Sequence, residues 1–223
     1  LNTNVQLNES YRIMPTAYAE FTPVKGLVVK SLIGSDISLL DNLYAWYPQS
    51  GDGQGYKGLI SNTHYTRKRW TFQNVANYKT TLADDHNLDL TGVAEWSKYT
   101  YRSVTAGAQD MSSSFFMPYI ISNTYNTQSS GGGFTQNGIS SYLLRANYNW
   151  RNNVYVGGSY RRDGLSKLPK DNRWGNFWGG SAAVRLSGFD FWAPLKGSIN
   201  VFKLRASRSE ERRVGKECRS RWS

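Results

Sequence analysis

The chain has 223 residues, a net charge of +11, only 39% hydrophobic residues and a mean hydropathy of −0.57, yet 14% of it is aromatic. Simple disorder is excluded, because disordered chains are poor in aromatics. No apolar run reaches the roughly 18 residues that a membrane-crossing helix needs, whereas the strands of a membrane-crossing barrel alternate and average to near-neutral hydropathy, so that class stays open.

Leu1 is not a methionine and no charged-then-apolar leader follows it, so the start of the protein is expected upstream. Alternation then marks strands along the chain. A first hairpin of weaker pattern joins 17–21 to 27–35 through Pro23, Val24, Lys25 and Gly26. Trp70, Phe72, Ala76, Tyr78 and Leu82 oppose Thr71, Gln73, Asn77, Lys79 and Thr81. After a turn at Ala83-Asp84-Asp85-His86, Leu88, Leu90, Ala94 and Trp96 oppose Asp89, Thr91, Glu95 and Ser97. Next, Tyr142, Leu144, Ala146, Tyr148 and Trp150 oppose Ser141, Leu143, Arg145, Asn147 and Asn149. Arg151, Asn152 and Asn153 turn the chain into Val154, Val156, Gly158 and Tyr160, which completes a hairpin. Trp178, Gly180, Ala182, Val184 and Leu186 oppose Ser181, Ala183, Arg185 and Ser187, and a short strand is expected over 201–207.

Connection lengths separate a soluble sheet from a barrel. Short turns fall near 23–26, 83–87 and 151–153, while long polar, glycine-rich loops are expected at 48–62, 109–138 and 163–176. Short turns on one side with long loops on the other are the habit of outer-membrane barrels, and soluble domains seldom carry such loops. Tyr142, Tyr148 and Trp150 near strand ends suit aromatic girdles at the headgroup level. The apolar face is aromatic and small rather than aliphatic, as lipid contact permits, and the inward face then holds Gln73, Lys79, Arg145, Asn147, Asn149 and Arg185. The expected fold is all-β, an antiparallel meander of about eight strands forming part of a large plugged transmembrane barrel of about 22 strands.

From Arg208 to Ser223 the alternation stops. This stretch reads as a translated sequencing adapter, so residues 1–207 are expected to form the partial barrel and 208–223 an unstructured artefact. Removing its six basic and three acidic residues lowers the net charge from +11 to +8 and takes away Cys218, the only cysteine. No disulfide, thiolate nucleophile or cysteine metal site then remains.

No catalytic set, metal site or cofactor motif stands out. His64 and His86 lie beside loop or turn sequence, and Asp84-Asp85-His86 reads as a turn cap. Gly51-Asp52-Gly53-Gln54-Gly55 lacks the following Lys-Ser/Thr and helix of a phosphate loop, and reads, like Gly131-Gly132-Gly133, as a flexible loop. Asp163-Gly164 and Lys170-Asp171-Asn172-Arg173-Trp174 offer oxygens for a ligand or calcium, with charge pairing at a barrel rim as the plainer reading. Trp46, Tyr47, Tyr56, Phe115, Phe116 and Tyr119 lie in or beside the long loops, where rings stack on sugars or pack the loops. Trp46, Tyr56, Phe115, Phe116, Tyr119 and Trp174 are the candidate solute contacts. The basic residues are scattered along alternating strands, which does not indicate nucleic acid.

Over 159–186 the sequence SYRRDGLSKLPKDNRWGNFWGGSAAVRL resembles a stretch of the SusC/RagA-type TonB-dependent transporters. The pattern there is R-x-D-G-S-S-R-F-G, then an N-R-W-G-x-F cluster, then S-A-A/G-W-R-I/L. It is matched at Arg161, Asp163, Gly164, Ser166, Lys167, Asp171, Asn172, Arg173, Trp174, Gly175, Phe177, Ser181, Ala182, Ala183 and Arg185. Leu165, Leu168, Pro169, Trp178 and Val184 depart from it, and Val24-Lys25-Gly26-Leu27 resembles the family's K-G-L turn. The resemblance implies outer-membrane, TonB-dependent uptake of large nutrients such as oligosaccharides or peptides, and no enzyme activity. It also implies a SusD-like surface lipoprotein, a TonB complex reached through a region outside this chain, and outer-membrane lipid as partners. A porin, an iron-chelate receptor or a secreted carbohydrate-binding β protein are the alternatives that alternation alone permits.

Overall fold

The computed structural model describes residues 4–112, 121, 125–195 and 197–209. Nine antiparallel strands follow in chain order: β1 Val5–Ile13, β2 Thr16–Val24, β3 Leu27–Trp46, β4 Leu59–Leu82, β5 His86–Met111, β6 Tyr125–Trp150, β7 Val154–Leu165, β8 Trp174–Arg185 and β9 Lys203–Ser209. They form one sheet in the order β1-β3-β4-β5-β6-β7-β8-β9, with β2 also paired to β3. Neighbours in sequence are mostly neighbours in space, as short hairpin connections dictate. Two compact units divide the chain, one of residues 1–17, 33–71 and 97–138, the other of 18–32, 72–96 and 139–223.

Register confirms the two faces read from the alternation in the second unit. β6 pairs with β7 so that Tyr142 faces Arg162, Leu144 faces Tyr160 and Tyr148 faces Val156, while Arg145 faces Ser159 and Asn147 faces Gly157. β7 and β8 continue these rows, with Tyr160 opposite Trp178 and Gly157 opposite Ser181. β9 adds Leu204 opposite Val184 on one face and Arg205 opposite Ala183 on the other. The apolar rows are open: Leu144 is 64% exposed, Trp178 48% and Leu204 55%. A soluble sandwich would bury such a face. Among the described residues, the buried hydrophobic cluster is Leu43, Ala45, Ile60, Ala108 and Tyr125, all in the first unit.

The strands run further than their hydrophobic pattern. The loop expected over 109–138 is largely strand, because β5 reaches Met111 and β6 begins at Tyr125. Gly131-Gly132-Gly133, expected as a flexible loop, lies inside β6. A Cβ on Gly132 would sit 2.7 Å from the Ser103 carbonyl oxygen, so the bare backbone lets the two strands close up. Polar residues on both faces erase the alternation there, while backbone pairing continues. Likewise β7 reaches Leu165 and β8 begins at Trp174, which shortens the loop expected over 163–176.

The stretch at Gly51–Gln54 is a helical turn, α1, instead of a flexible loop. Ser50 caps it, its hydroxyl oxygen accepting from the Gly53 N–H at 3.2 Å. β1 supplies a ninth strand beyond the eight expected. Its Val5, Leu7, Tyr11 and Ile13 alternate with Gln6, Asn8, Ser10 and Arg12, a pattern weakened by Glu9 on the apolar side. Leu186 and Ser187, expected at a strand end, belong to a 3-10 turn, Leu186–Gly188, followed by another over Asp190–Leu195. β9 ends at Ser209, two residues beyond the boundary expected at 207. Residues 210–223, including Cys218, lie outside the described residues.

The short turns appear where the sequence places them. Gly26 takes φ +88°, and its carbonyl accepts the Lys79 N–H at 2.8 Å. Ala83 and Asp84, then Arg151 and Asn152, form pairs of positive-φ residues, as two-residue hairpin turns require. The Arg151 N–H donates to the Asp85 carbonyl at 2.9 Å, and its guanidinium meets the Asp85 carboxylate at 2.7 Å.

An open apolar face and unpaired outer edges on β1, β2 and β9 favour association. The chain expressed alone is expected to aggregate unless detergent or lipid is present, as checked by size-exclusion chromatography with light scattering. A soluble monomer with a sharp unfolding transition would contradict this.

Candidate functional site

The second unit forms a half-open cavity of about 1220 Å³, with Leu88, Val156 and Ala182 among its lining. Lys25, Lys79, Asp89, Asn147, Asn149, Tyr155, Ser181 and Arg205 line it. Of the six residues expected inward from sequence, Gln73, Lys79, Asn149 and Arg185 have polar partners. Gln73 donates to Glu95 at 2.7 Å, and Lys79 lies 3.6 Å from Asp89. Asn149 donates to Asn152 at 2.6 Å, and the Arg185 guanidinium donates to Asn153 Oδ1 at 3.0 Å. Arg145 and Asn147 stand opposite Ser159 and Gly157. Small partners keep the centre of the face open, and hydroxyls, amides and charges make it wettable.

The other face of the same unit carries a row of rings. Phe72 stacks on Trp96 at 5.9 Å, Trp96 meets Tyr142 edge-on at 6.0 Å, and Tyr142 stacks on Trp174 at 6.2 Å. The Arg162 guanidinium covers the Trp174 ring at 4.8 Å. The rings tie the adjacent strands β4, β5 and β6 and reach β8 across β7. Trp174, expected beside the solute, therefore packs with Tyr142 on the apolar side, away from the polar cavity. Alternation along β8 puts Trp174 on the face of Trp178, while register sets it opposite Gly164 and within reach of Tyr142.

The family motif builds the β7–β8 hairpin. The Arg161 guanidinium donates to both Asp163 oxygens, at 2.9 and 2.8 Å, so the carboxylate is occupied by an ion pair. Asn172 closes a backbone turn on the Pro169 carbonyl, and the Arg173 carbonyl accepts from the Leu165 N–H at 3.0 Å. Gly175 lies opposite Asp163 and leaves room for the Phe177 ring, which a Cβ would approach at 3.1 Å. A Cβ on Gly164 would lie 2.8 Å from the Trp174 ring, so the glycine is the floor on which that indole rests.

In the first unit, the Trp46 and Tyr56 rings lie 5.8 Å apart, and Tyr44 meets Trp46 at 5.7 Å. Phe115, Phe116 and Tyr119 lie outside the described residues. His64 lies 3.4 Å from Asp41, and His86 shares a 2.6 Å hydrogen bond with the Tyr148 hydroxyl. Sequence reading missed a group on β1, β3, β4 and β5. Arg12 makes a two-point pair with Asp36 at 2.9 and 2.8 Å, while Arg67 and Arg69 lie over Tyr101 and Tyr99 at 5.9 and 5.6 Å. The signal was present as two Arg-x-Arg and Tyr-x-Tyr pairs at strand period.

Gly164→Ala is expected to displace the Trp174 ring and destabilise the folded protein by about 1–3 kcal/mol, the usual cost of overpacking. Near-ultraviolet circular dichroism and denaturant unfolding in detergent check it, and an unchanged tryptophan signal would refute the packing role.

No family model matches the chain. The TonB-dependent receptor P39 of Formosa agariphila is 30% identical over 154 residues, covering 67% of this chain and 14% of that receptor. Structures titled as the RagAB peptide transporter and as the RagAB peptide importer in its closed-closed state share the fold. Their TM-scores are 0.75 and 0.76 at 20% identity, over 92% of this chain and 23% of theirs. The chain thus spans under a quarter of the proteins it matches. The identity to this receptor places the chain among the TonB-dependent receptors, and the shared sheet makes it a segment of a barrel wall with the RagAB fold.

Proposed function

We propose that the chain forms part of the wall of an outer-membrane transporter that takes up large nutrients, oligosaccharides or peptides, by a TonB-dependent cycle. The observation that carries this reading is the two-faced sheet: an exposed row of rings and aliphatics on one side, a wettable cavity on the other. Lipid covers Leu144, Tyr160 and Trp178, with Trp174 and Tyr142 in an aromatic belt. Solute and water pass along Gln73, Lys79, Arg145, Asn147, Asn149 and Arg185, and Trp46 and Tyr56 meet the solute near the loops. Strands of 20 to 26 residues in β3–β6 exceed the roughly 9–11 that cross a bilayer, so their ends stand outside it.

In this reading a SusD-like surface lipoprotein lids the barrel, and parts of the protein outside this chain contact TonB. The chain performs no covalent chemistry. Its work is to shape a passage, and the charges on the polar face tune which solutes traverse it.

The test uses the complete transporter that carries this segment. Membrane fractionation is expected to recover it in the outer membrane, and uptake of its nutrient is expected to stop when TonB is deleted. Recovery from the aqueous periplasm without detergent would overturn the reading. A second test compares two arginines. Leu144→Arg is expected to cost up to about 2–4 kcal/mol on unfolding from lipid vesicles, the range for a cation on the lipid face. Asn147→Arg, on the wet side, is expected to stay within about 0.5 kcal/mol. Equal costs would remove the assignment of faces.

A further inference from the structure

We propose that the polar face of the first unit carries a subsite for an acidic oligosaccharide, built on Arg67 and Arg69 of β4. This rests on the uptake reading above and names the substrate class it would serve. A cleft of about 500 Å³ is lined by Arg12, Asp36, Arg67, Arg69 and Tyr99, with Ser10 and Ser38 at its wall.

The charges in the cleft do not balance. Arg12 spends its guanidinium on Asp36 through two hydrogen bonds. Among the described residues, Arg67 and Arg69 have no carboxylate at hydrogen-bond distance; Asp36, already paired with Arg12, is within electrostatic reach of Arg69, and each of the two arginines lies over a tyrosine ring. A guanidinium over a ring face still has N–H donors for a two-point bond to a carboxylate or sulfate. Tyr65 packs on Tyr101 at 6.2 Å, which steadies the ring beneath Arg67. Two residues apart on one strand face, the two guanidiniums stand about 7 Å from one another, so they present a pair of anion contacts, not one.

The surroundings favour a sugar over an acidic peptide. β3, β4 and β5 each have strand partners on both sides, so an extended peptide has no backbone edge to join beside Arg67 and Arg69. Recognition must run through side chains. Hydroxyls on Ser10, Ser38 and Tyr99 suit a hydroxyl-rich ligand, and the two guanidiniums supply the charge contacts.

The complete transporter in detergent is titrated with a galacturonic acid hexamer, a sulfated hexasaccharide, maltohexaose and hexaglutamate. The expected result is about tenfold tighter binding of the carboxylated or sulfated sugar than of maltohexaose at low salt. That advantage should shrink toward unity near 0.5 M salt, as exposed charge pairs are screened. The double variant Arg67→Gln with Arg69→Gln is expected to lose the advantage and keep maltohexaose binding, which also shows that it is folded. Comparing the carboxylated with the sulfated sugar tells which anion fits. Equal binding of charged and neutral sugars, or an unaltered preference in the double variant, overturns the subsite. Hexaglutamate binding as tightly as the acidic sugars overturns the sugar assignment. TonB-dependent uptake without charge preference defeats this inference alone, whereas uptake that ignores TonB defeats the transport reading beneath it.

Discussion

Everything in this structure depends on the strand's period of two, which sends successive side chains to opposite faces while the backbone pairs sideways with its neighbours. Within the second unit that constraint carries Leu144, Tyr160 and Trp178 to one face and Arg145, Ser159 and Gly179 to the other, row after row. A slip of one residue would exchange the two sets. In a sheet with one apolar and one polar face, such a slip would put guanidinium in the apolar rows and leucine in the polar ones, so register is strongly held. A single packed core is then unnecessary, and among the described residues the buried hydrophobic ones gather around Leu43, Ala45 and Ile60.

Cross-strand rings and close-packed glycines do the cohesive work that a core does elsewhere. Phe72, Trp96, Tyr142 and Trp174 bind strands that are not all adjacent in sequence, and Arg162 caps the end of the row. Gly164 makes the indole's place, and Gly132 lets β6 approach β5. Aromatic side chains are therefore structural on one face, where they touch each other. In the first unit they serve as platforms for guanidiniums. Residue type alone does not separate these uses; the neighbour across the strand does.

At the turn end of the second unit, adjacent hairpins are tied by polar bonds. Asp85 accepts Arg151 through side chain and backbone, and Asn153 donates to the Gly188 carbonyl while accepting from Arg185. The segment between β8 and β9 breaks the rule of short turns on this side. It folds into two 3-10 pieces held by rings: Trp150 against Phe189, Phe189 against Phe191, and Trp192 stacked on Phe202 at 5.2 Å. Alternation gave no warning, because the rings there follow a three-residue turn and not a strand.

The amino-acid sequence by itself determined the faces of β4, β5, β6, β7 and β8, the short turns after Leu82 and Trp150, and the membership suggested by Arg161 to Arg185. These are local properties, set by alternation and by turn residues that tolerate positive φ. Tertiary structure alone decided how far the strands continue through Gly131-Gly132-Gly133, that Glu9 sits inside a strand, and that Trp174 lies on Tyr142. It also decided that Arg67 and Arg69 meet Tyr101 and Tyr99. Pairing across β5 and β6 supplies hydrogen bonds that polar, glycine-rich sequence does not announce. Which rings and charges meet depends on register between strands distant in the chain, which no single stretch of sequence contains.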